Sequence, residues 1–491
     1  MRRNRLRDGL DAANIPRMRR TETVRLVPSR RAERELREIG DRVSRLWNAA
    51  MYRCRQAFFA KQGVPVGHQL EALMKTSHDY RQLPSDISQE VLKTVSEAWK
   101  SYFTLHANWT KDPTTQKPSI PRYRKDRRTD TRPTDFIPVK HRRSYSLDAK
   151  DVSLVQPRDR RSARKGSGKR LHIRYRGRLR HSGTPGRAEL VFDPLRKRWH
   201  MHVSVQCAPV VPTGSARAAA VDLGVRITAS LSIEGDGQAR HFEGRELLKD
   251  WDSAGRAIAR EQTRIARSRG LEARDHPPGT ARIRHLHRVR RLRLRHGLTA
   301  LASAIARECA SAGVGTVYLG WPKDILRDVR SYTGPWAGRI HGFWSYGLTL
   351  SLLESALEAR GITAIRVGER GSSSTCPACG SGDVARHPRW RLSCRACGGA
   401  MHSDQAGSRN ILMTHKPGAC RDWPEGRRGV AAHRAARRLS SGKSSPRRRP
   451  EGCHRTATRR WTRHQWHLRS ENPRGDVRRA SPSSHPAQAT A

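Results

Sequence analysis

Four cysteines and two aspartates carry the most specific chemistry in this sequence. Cys376, Cys379, Cys394 and Cys397 form two CxxC pairs with fourteen residues between them, inside SSSTCPACGSGDVARHPRWRLSCRACGGAMHSDQAGSRNIL at 372–412. A tetrahedral structural Zn²⁺ takes four soft ligands, and each CxxC turn can aim two thiolates at one point. The arm between the pairs holds Gly, Asp, Pro and alternating apolar residues, which suits a small hairpin. Unligated surface cysteines are the bland alternative. Disulfides are the weakest one, because no signal peptide precedes this region. Asp404 follows the last cysteine by seven residues, in HSDQAGSRN. Asp222 lies far upstream, in AAAVDLGVRITAS, where the apolar run Ala218 to Val221 reads as a buried strand and Gly224 as a turn. An Asp at a strand end is a common metal-ligand position in nucleases. Alone it is weak; with a zinc knuckle and a following Asp it is specific.

Composition points to a polyanionic partner. The 491 residues allow two to four domains, with 98 Lys and Arg against 44 acidic residues and a formal charge of +54. Such a surface repels itself until a polyanion neutralises it. A basic protein without a nucleic-acid partner and a membrane-surface protein are both disfavoured, since the charge spreads along the whole chain. No segment approaches eighteen consecutive apolar residues. The remaining cysteines (Cys54, Cys207, Cys309, Cys420, Cys453) are scattered, which fits a reducing, cytoplasmic setting. Arg greatly outnumbers Lys, favouring bidentate and stacking contacts with phosphates and bases, although a GC-rich genome produces the same bias.

The elements that must position these residues follow from periodicity. Residues 1–18 read as a basic flexible arm, and TETVRLV at 21–27 as a strand. Leu36, Ile39, Val43, Leu46, Trp47 and Ala50 fall on one helical face; Ile87, Val91, Val95, Ala98, Trp99 and Tyr102 mark a second helix. Trp47 and Trp99 are expected in the core rather than against bases. In the polar stretch 113–134, Arg122, Tyr123, Arg124 and Lys125 could hold phosphate and stack on a base, or form a solvated linker. Strands resume at Phe136, so that 19–28 and 135–211 would form one β-barrel, with a helical domain and linker, 29–134, inserted. Strand and helix then alternate from 212 to 371, the pattern of an α/β domain. Within it, the helix ARIRHLHRVRRLRLRHG (281–297) has no acidic residue. Its Leu286, Val289 and Leu292 are expected inward, and Arg284, Arg288, Arg291 and Arg295 outward against a phosphate backbone. The stretch 413–491 is basic, rich in Ser, Pro and Gly, and expected to be a disordered tail.

The constellation resembles the TnpB-type transposon-encoded RNA-guided nucleases and the miniature type V CRISPR effectors. The residues that carry it are AVDLGV around Asp222, TVYLG (316–320), HGFWSY (341–346), SSSTCPACG (372–380) and HSDQAGSRNIL (402–412), with weaker likeness from about Val24 onward. The resemblance implies a multidomain α+β protein. It would have a RuvC-like, RNase H-type nuclease domain (212–371, closing with 401–412), an inserted zinc-binding element (372–400), a wedge β-barrel and a helical recognition domain. It also implies a structured guide RNA, a target double-stranded DNA with a short adjacent motif, and pairing that reads the rest. A monomer is favoured over a dimer, and a CRISPR effector slightly over a transposon protein.

Phosphodiester hydrolysis in this family uses two Mg²⁺ about 4 Å apart on carboxylates. The resemblance assigns Asp222 and Asp404 to the first and last ligands. It expects a Glu at the end of the middle strand, VYLGWPKDI, where this chain has Gly320. Three explanations compete. The protein could bind without cleaving, as a repressor; Asp324 could reach the metals; or Glu369 could substitute. Glu369 is favoured, because ERGSSSTC matches the offset of a relocated Glu in some relatives. A zinc-finger DNA-binding protein with no guide is a third functional reading, but leaves the Asp222 domain unexplained. Arg409 is expected near the scissile phosphate or on an exposed helix face, and His402 beside the metals or exposed.

Overall fold

The computed structural model describes residues 18–113, 117–124, 136–157, 159, 170–208, 210–224, 227–271, 279–321, 345–369, 371–388 and 390–419, and the backbone of 457–462 and 465–468. Lys125, Asp324 and the first four residues of HGFWSY lie outside these. The chain divides into two compact units, Met1–Val211 and Pro212–Ala491. Both mix helix and sheet. Among the described residues no helix is long and apolar enough to cross a membrane.

In the first unit, strand β1 (Arg19–Val27) leads into helix α1 (Arg30–Phe59), whose N-terminus is capped by the Ser29 hydroxyl accepting from the Ala32 N–H. Short helices α2 (His68–Met74) and α3 (His78–Arg81) precede α4 (Ser85–Lys111). The apolar stripes of α1 and α4 face each other. Trp47 is 7% exposed and Trp99 fully buried, its ring packed on Phe58, Tyr102 and Phe103. Six strands follow: β2 (Phe136–Lys140), β3 (Tyr145–Leu147), β4 (Asp151–Val155), β5 (Arg170–Arg176), β6 (Thr184–Asp193) and β7 (Arg198–Gln206). With β1 they make a seven-stranded sheet in the order β2-β6-β7-β1-β5-β4-β3. Laid flat, such a sheet is about 29 Å wide at about 4.8 Å per strand. Its two edges are joined by the short turn 141–144, which reaches at most about 18 Å. The sheet therefore curls back on itself.

Trp47 and Asn48 clamp an extended segment. The Trp47 indole donates to the Arg122 carbonyl, and Asn48 exchanges two hydrogen bonds with the backbone of Arg124 at 2.9 and 2.7 Å. The Arg124 guanidinium lies 4.1 Å from the Trp47 ring and 4.2 Å from Phe136. Arg124, expected at a nucleic acid, is thus held between two rings of its own domain, where stacking outweighs solvation. Arg122 and Tyr123 are exposed, with Arg55 over the Tyr123 ring.

The second unit is a sheet with helices on both faces. β8 (Ala218–Asp222), β9 (Ile227–Ile233) and β10 (Arg240–Glu243) run antiparallel in sequence. Helices α5 (Arg245–Ser268) and α6 (Ala281–Ser311) intervene before β11 (Thr316–Trp321), which lies parallel to β8. Helix α7 (Tyr346–Glu358) then precedes β12 (Thr363–Gly368), parallel to β11. One face carries Ala219, Val221, Leu231, Val317 and Leu319, buried against Leu298, Leu301 and Ile305 of α6 and Leu350, Leu353 and Leu357 of α7. The opposite face carries Ala218, Ala220 and Val367, packed on Ile411 and Leu412 of α8 (Ser403–His415).

The inward side of α6 differs from expectation. Ile283, Leu294 and Leu298 are buried, whereas Leu292 is 44% exposed. The Arg290 guanidinium sits 4.0 Å above Trp251 of α5, on the inner side. Packing against α5 rotates the helix, and an arginine stem and face can fill an apolar contact. Arg284, Arg291 and Arg295 are exposed and Arg288 half-buried.

The stretch expected to be a disordered tail is partly folded. Helix α8 runs three residues beyond Leu412, Ala419 is buried, and Lys416 pairs with Glu234. After strands β13 (Val384–Arg386), β14 (Arg391–Cys394) and β15 (Ala400–His402), the backbone of β16 (Ala457–Thr462) and β17 (Gln465–Leu468) forms a hairpin. β16 adds parallel to β10. The edge of β10 offers unpaired backbone groups, and a short Thr- and Trp-containing segment with β propensity supplies partners despite its basic surroundings.

Candidate functional site

Strand parity brings three acidic residues to one face. Side chains alternate along a strand, so Asp222 shares the α8 face with Ala218 and Ala220, and Glu369, just past β12, shares it with Val367. Asp404 sits in the first turn of α8, which crosses that face. The α8 contact is partly polar. The Ser408 hydroxyl bonds those of Ser230 and Ser232 at 3.0 and 2.8 Å, on the same sheet face. Gly407 lets the helix come close: a Cβ there would stand 2.4 Å from Asp222 Oδ2.

The three carboxyls are electrostatically linked. Removal from water, then the neighbouring Asp404, push the Asp222 carboxyl up to about 7. Removal from water and then Asp222 push Glu369 up to about 8. Burial also raises Asp404, opposed by His402 and Arg386. Burial is the larger cause in each case, and a neighbouring carboxyl adds to it at Asp222 and at Glu369. Glu369 Oε2 is buried without a hydrogen-bond partner among the described residues. An orphaned carboxyl oxygen beside Asp222, itself next to Asp404, suits a hard divalent cation, so Asp222, Glu369 and Asp404 are the residues that could hold Mg²⁺.

The Glu369 side chain reaches the space beside Gly320. β11 and β12 pair in parallel with Gly320 opposite Val367. A Cβ on Gly320 would lie 3.0 Å from Glu369 Oε2, 2.9 Å from Ile411 Cδ1 and 3.2 Å from the Val221 carbonyl oxygen. The carboxylate of Glu369 therefore stands over the strand end at which a side chain on residue 320 would begin. Glu354 instead pairs with Arg366 at 2.7 Å.

The cysteines converge. Among the described residues, Cys376, Cys379, Cys394 and Cys397 are the one group of three or more metal-ligating side chains whose donor atoms all lie within 4.8 Å of one another. Sγ of Cys376 and Cys397 are 3.7 Å apart, and those of Cys379 and Cys394 3.5 Å. A tetrahedron with metal–sulfur bonds of about 2.3 Å sets sulfurs about 3.8 Å apart, so the cluster fits a structural Zn²⁺. The arm between the pairs is a small antiparallel sheet of β13 (Val384–Arg386), β14 (Arg391–Cys394) and β15 (Ala400–His402).

This element is fastened to the acidic face. β15 runs directly into α8, and His402 Nδ1 accepts from the Asp404 N–H at 3.3 Å. Asn410 of α8 donates to the carbonyls of Ser372 and Thr375 at 2.5 and 2.9 Å, on the loop from Glu369 to Cys376. Arg409, expected at the phosphate or on an exposed face, is 2% exposed and donates to the Gly237 carbonyl at 2.6 Å. It braces α8, because a guanidinium at that turn finds backbone acceptors under the helix rather than solvent.

Sequence reasoning missed Arg386. This exposed residue of β13 donates to the Ser373 carbonyl, and its charge lowers both Asp222 and Asp404. It is one of several arginines in ARHPRWR, and nothing in spacing alone marks which one turns toward the carboxyls.

Two results are expected from this geometry. Gly407→Ala forces Asp222 or α8 to move, and a displacement of about 1 Å costs a positioned reaction about 100-fold. Assays of the phosphodiester hydrolysis expected from the sequence, beside melting curves, test this; undiminished activity would mean that Asp222 is not held by α8. The second concerns pH. In metal-free protein Glu369 titrates near 8 when folded, against an ordinary value of 4.5, so the folded chain binds more protons between the two. Its stabilising contribution is complete below about 4.5 and is lost as pH rises through about 8, by up to about 1.4 kcal/mol per pH unit. In chelator, Glu369→Gln should therefore raise the melting temperature at about pH 8 relative to wild type and remove part of the decline from about pH 5.

Known families and proteins resemble this chain. The family profile OrfB_IS605, a probable transposase, matches residues 200–326, and that of the Cas12f1-like TNB domain matches 346–411. A TnpB-like protein, ORF457 of Acidianus two-tailed virus, is 28% identical over 419 residues, covering 80% of this chain and 86% of that protein. Among solved structures, the Cas12f1–sgRNA–target DNA complex superposes with a TM-score of 0.51 and 14% identity, over 77% of this chain and 82% of that one.

Proposed function

This chain is a TnpB-like protein of the OrfB_IS605 transposase family with a Cas12f1-like TNB domain, and we propose that it is an RNA-guided DNA endonuclease. The observation that supports this most is Glu369 Oε2 standing 3.0 Å from where a Cβ on Gly320 would lie, on the sheet face that also carries Asp222 and is crossed by the helix of Asp404; on this reading Glu369 supplies the acid that Gly320 lacks. The strand order, three antiparallel strands followed by two parallel ones on the other side of β8, supports a RuvC-like domain of the RNase H type. On this reading the curled sheet is the wedge and the helical insertion the recognition domain.

Mg²⁺ ions held by the three carboxylates would activate water and stabilise the leaving 3′ oxygen. The chain itself does the positioning. α8 fixes Asp404, β8 and Gly407 fix Asp222, and the loop tied down by Asn410 fixes Glu369. On this reading Arg386, whose charge acts on Asp222 and Asp404, meets the phosphate. Arg284, Arg291 and Arg295, with Arg122 and Tyr123, offer exposed contacts for a guide RNA and target DNA, and the charge of +54 needs such polyanions.

The direct test is to purify the protein with its flanking locus, sequence the RNA that accompanies it, and assay cleavage of a matching duplex in Mg²⁺. A discrete RNA with one variable end and guided cuts support the proposal; heterogeneous RNA and no cutting refute it. Arg386→Ala should reduce cleavage about 10- to 100-fold with zinc content unchanged. It should also move the acid limb of the pH–rate profile upward, because a charge that lowers the carboxyls has gone. A second reading, guided binding without cleavage, is favoured by Gly320 alone.

A further inference from the structure

The first unit holds a cavity that the nuclease reading does not use. It measures about 640 Å³ and is lined by Thr21, Glu22 and Thr23 of β1 and by Gly177, Arg178, Arg180 and His181 of the β5–β6 loop. That volume admits one nucleotide. Glu22 is only 5% exposed and shares the lining with Arg178 and Arg180. One of its oxygens accepts from the His181 backbone N–H at 3.1 Å and also contacts His181 Nδ1. A carboxylate can only accept, so Nδ1 carries the proton and Nε2 is left as the ring's remaining polar atom. The His181 side chain is 44% exposed. Arg178 and Arg180 are exposed, and neither pairs with an acid among the described residues. Thr23 is engaged by His202 at 2.9 Å.

We propose that this cavity is a ribose-selective nucleotide subsite, in which Arg178 and Arg180 take a phosphate and the imidazole oriented by Glu22 binds the 2′-hydroxyl of RNA. Exposed guanidiniums suit phosphate oxygens. The 2′-hydroxyl both donates and accepts, so it can meet Nε2 in either protonation state. A buried carboxylate that fixes a histidine by ring and by backbone gives that ring one orientation, which discrimination between ribose and deoxyribose requires. The subsite rests on the RNA partner of the proposed function but not on cleavage.

The test uses the full-length chain and two probes: a single-stranded RNA of about 20 nucleotides and DNA of the same sequence, at about 0.3 M salt to suppress non-specific binding. Hydrogen–deuterium exchange should slow across 177–183 with RNA and less with DNA. His181→Ala should lower the RNA-to-DNA affinity ratio about 3- to 10-fold while leaving DNA affinity unchanged. Glu22→Gln, which keeps volume but frees the ring, should lower the ratio in the same direction. R178A/R180A should weaken both probes. Equal protection by RNA and DNA, or a ratio that survives H181A, overturns the subsite. Guided cleavage is scored separately. Normal cutting with a silent cavity sinks only this inference, and ribose-selective protection without cutting sinks only the endonuclease reading.

Discussion

Glu369→Gln should reduce target cleavage about 10³-fold or more while guided target binding persists. That loss is about 4 kcal/mol of transition-state stabilisation, the scale on which single members of a catalytic set act. The amide keeps the size of the side chain and removes the charge that would hold a cation. A neighbouring-strand swap gives the sharper version. Gly320→Glu alone should also be inactive, because a Cβ at 320 would lie 3.0 Å from Glu369 Oε2 and the two acids would compete for one space. Combined with Glu369→Gly, the same change frees that space and should restore part of the activity. Residual contacts to Ile411 and the Val221 carbonyl limit the recovery. Single-turnover cleavage and binding of the same duplex separate these effects. Unchanged cutting by E369Q would remove Glu369 from the site, and loss of binding in every variant would point to misfolding instead.

Removing a zinc-knuckle cysteine should be the second large effect. The core of that element consists of Leu392, Met401 and Ala406, with Val384 partly buried against them. So small a core cannot hold three short strands by burial alone, whereas a structural Zn²⁺ supplies about 10–16 kcal/mol in comparable peptides. Cys394→Ser should therefore abolish bound zinc and open 376–402 to protease. Cleavage should fall about 100-fold or more, because β15 leads straight into α8 and Asn410 ties α8 to the loop carrying Glu369. Cys207→Ser, outside the cluster, is the control. Metal analysis, limited proteolysis and cleavage on one preparation test the chain of effects. Full activity in a zinc-free C394S protein would show that the knuckle does not position the acids.

Local pattern made much of this legible in the sequence. Two CxxC pairs, an aspartate ending an apolar run and another shortly past a knuckle depend only on nearby residues, and so does the period that buries Trp47 and Trp99. Other features arise from contacts between distant segments. The overlap of Glu369 with the space above Gly320 exists because β12 pairs with β11 in one register, and no spacing along the chain encodes which strands become neighbours. Arg124, Arg386 and Arg409 look alike in sequence. Packing places one between Trp47 and Phe136, one beside Asp222 and Asp404, and one beneath α8, since a long flexible cation takes its role from whatever surrounds its end. The turned face of α6 and the strands at 457–468 have the same origin. A helix finds its buried side only against its partner, and an edge strand is completed by whichever segment can reach it. The types and intervals of the ligands were written in the chain, while their meeting point was decided by the fold.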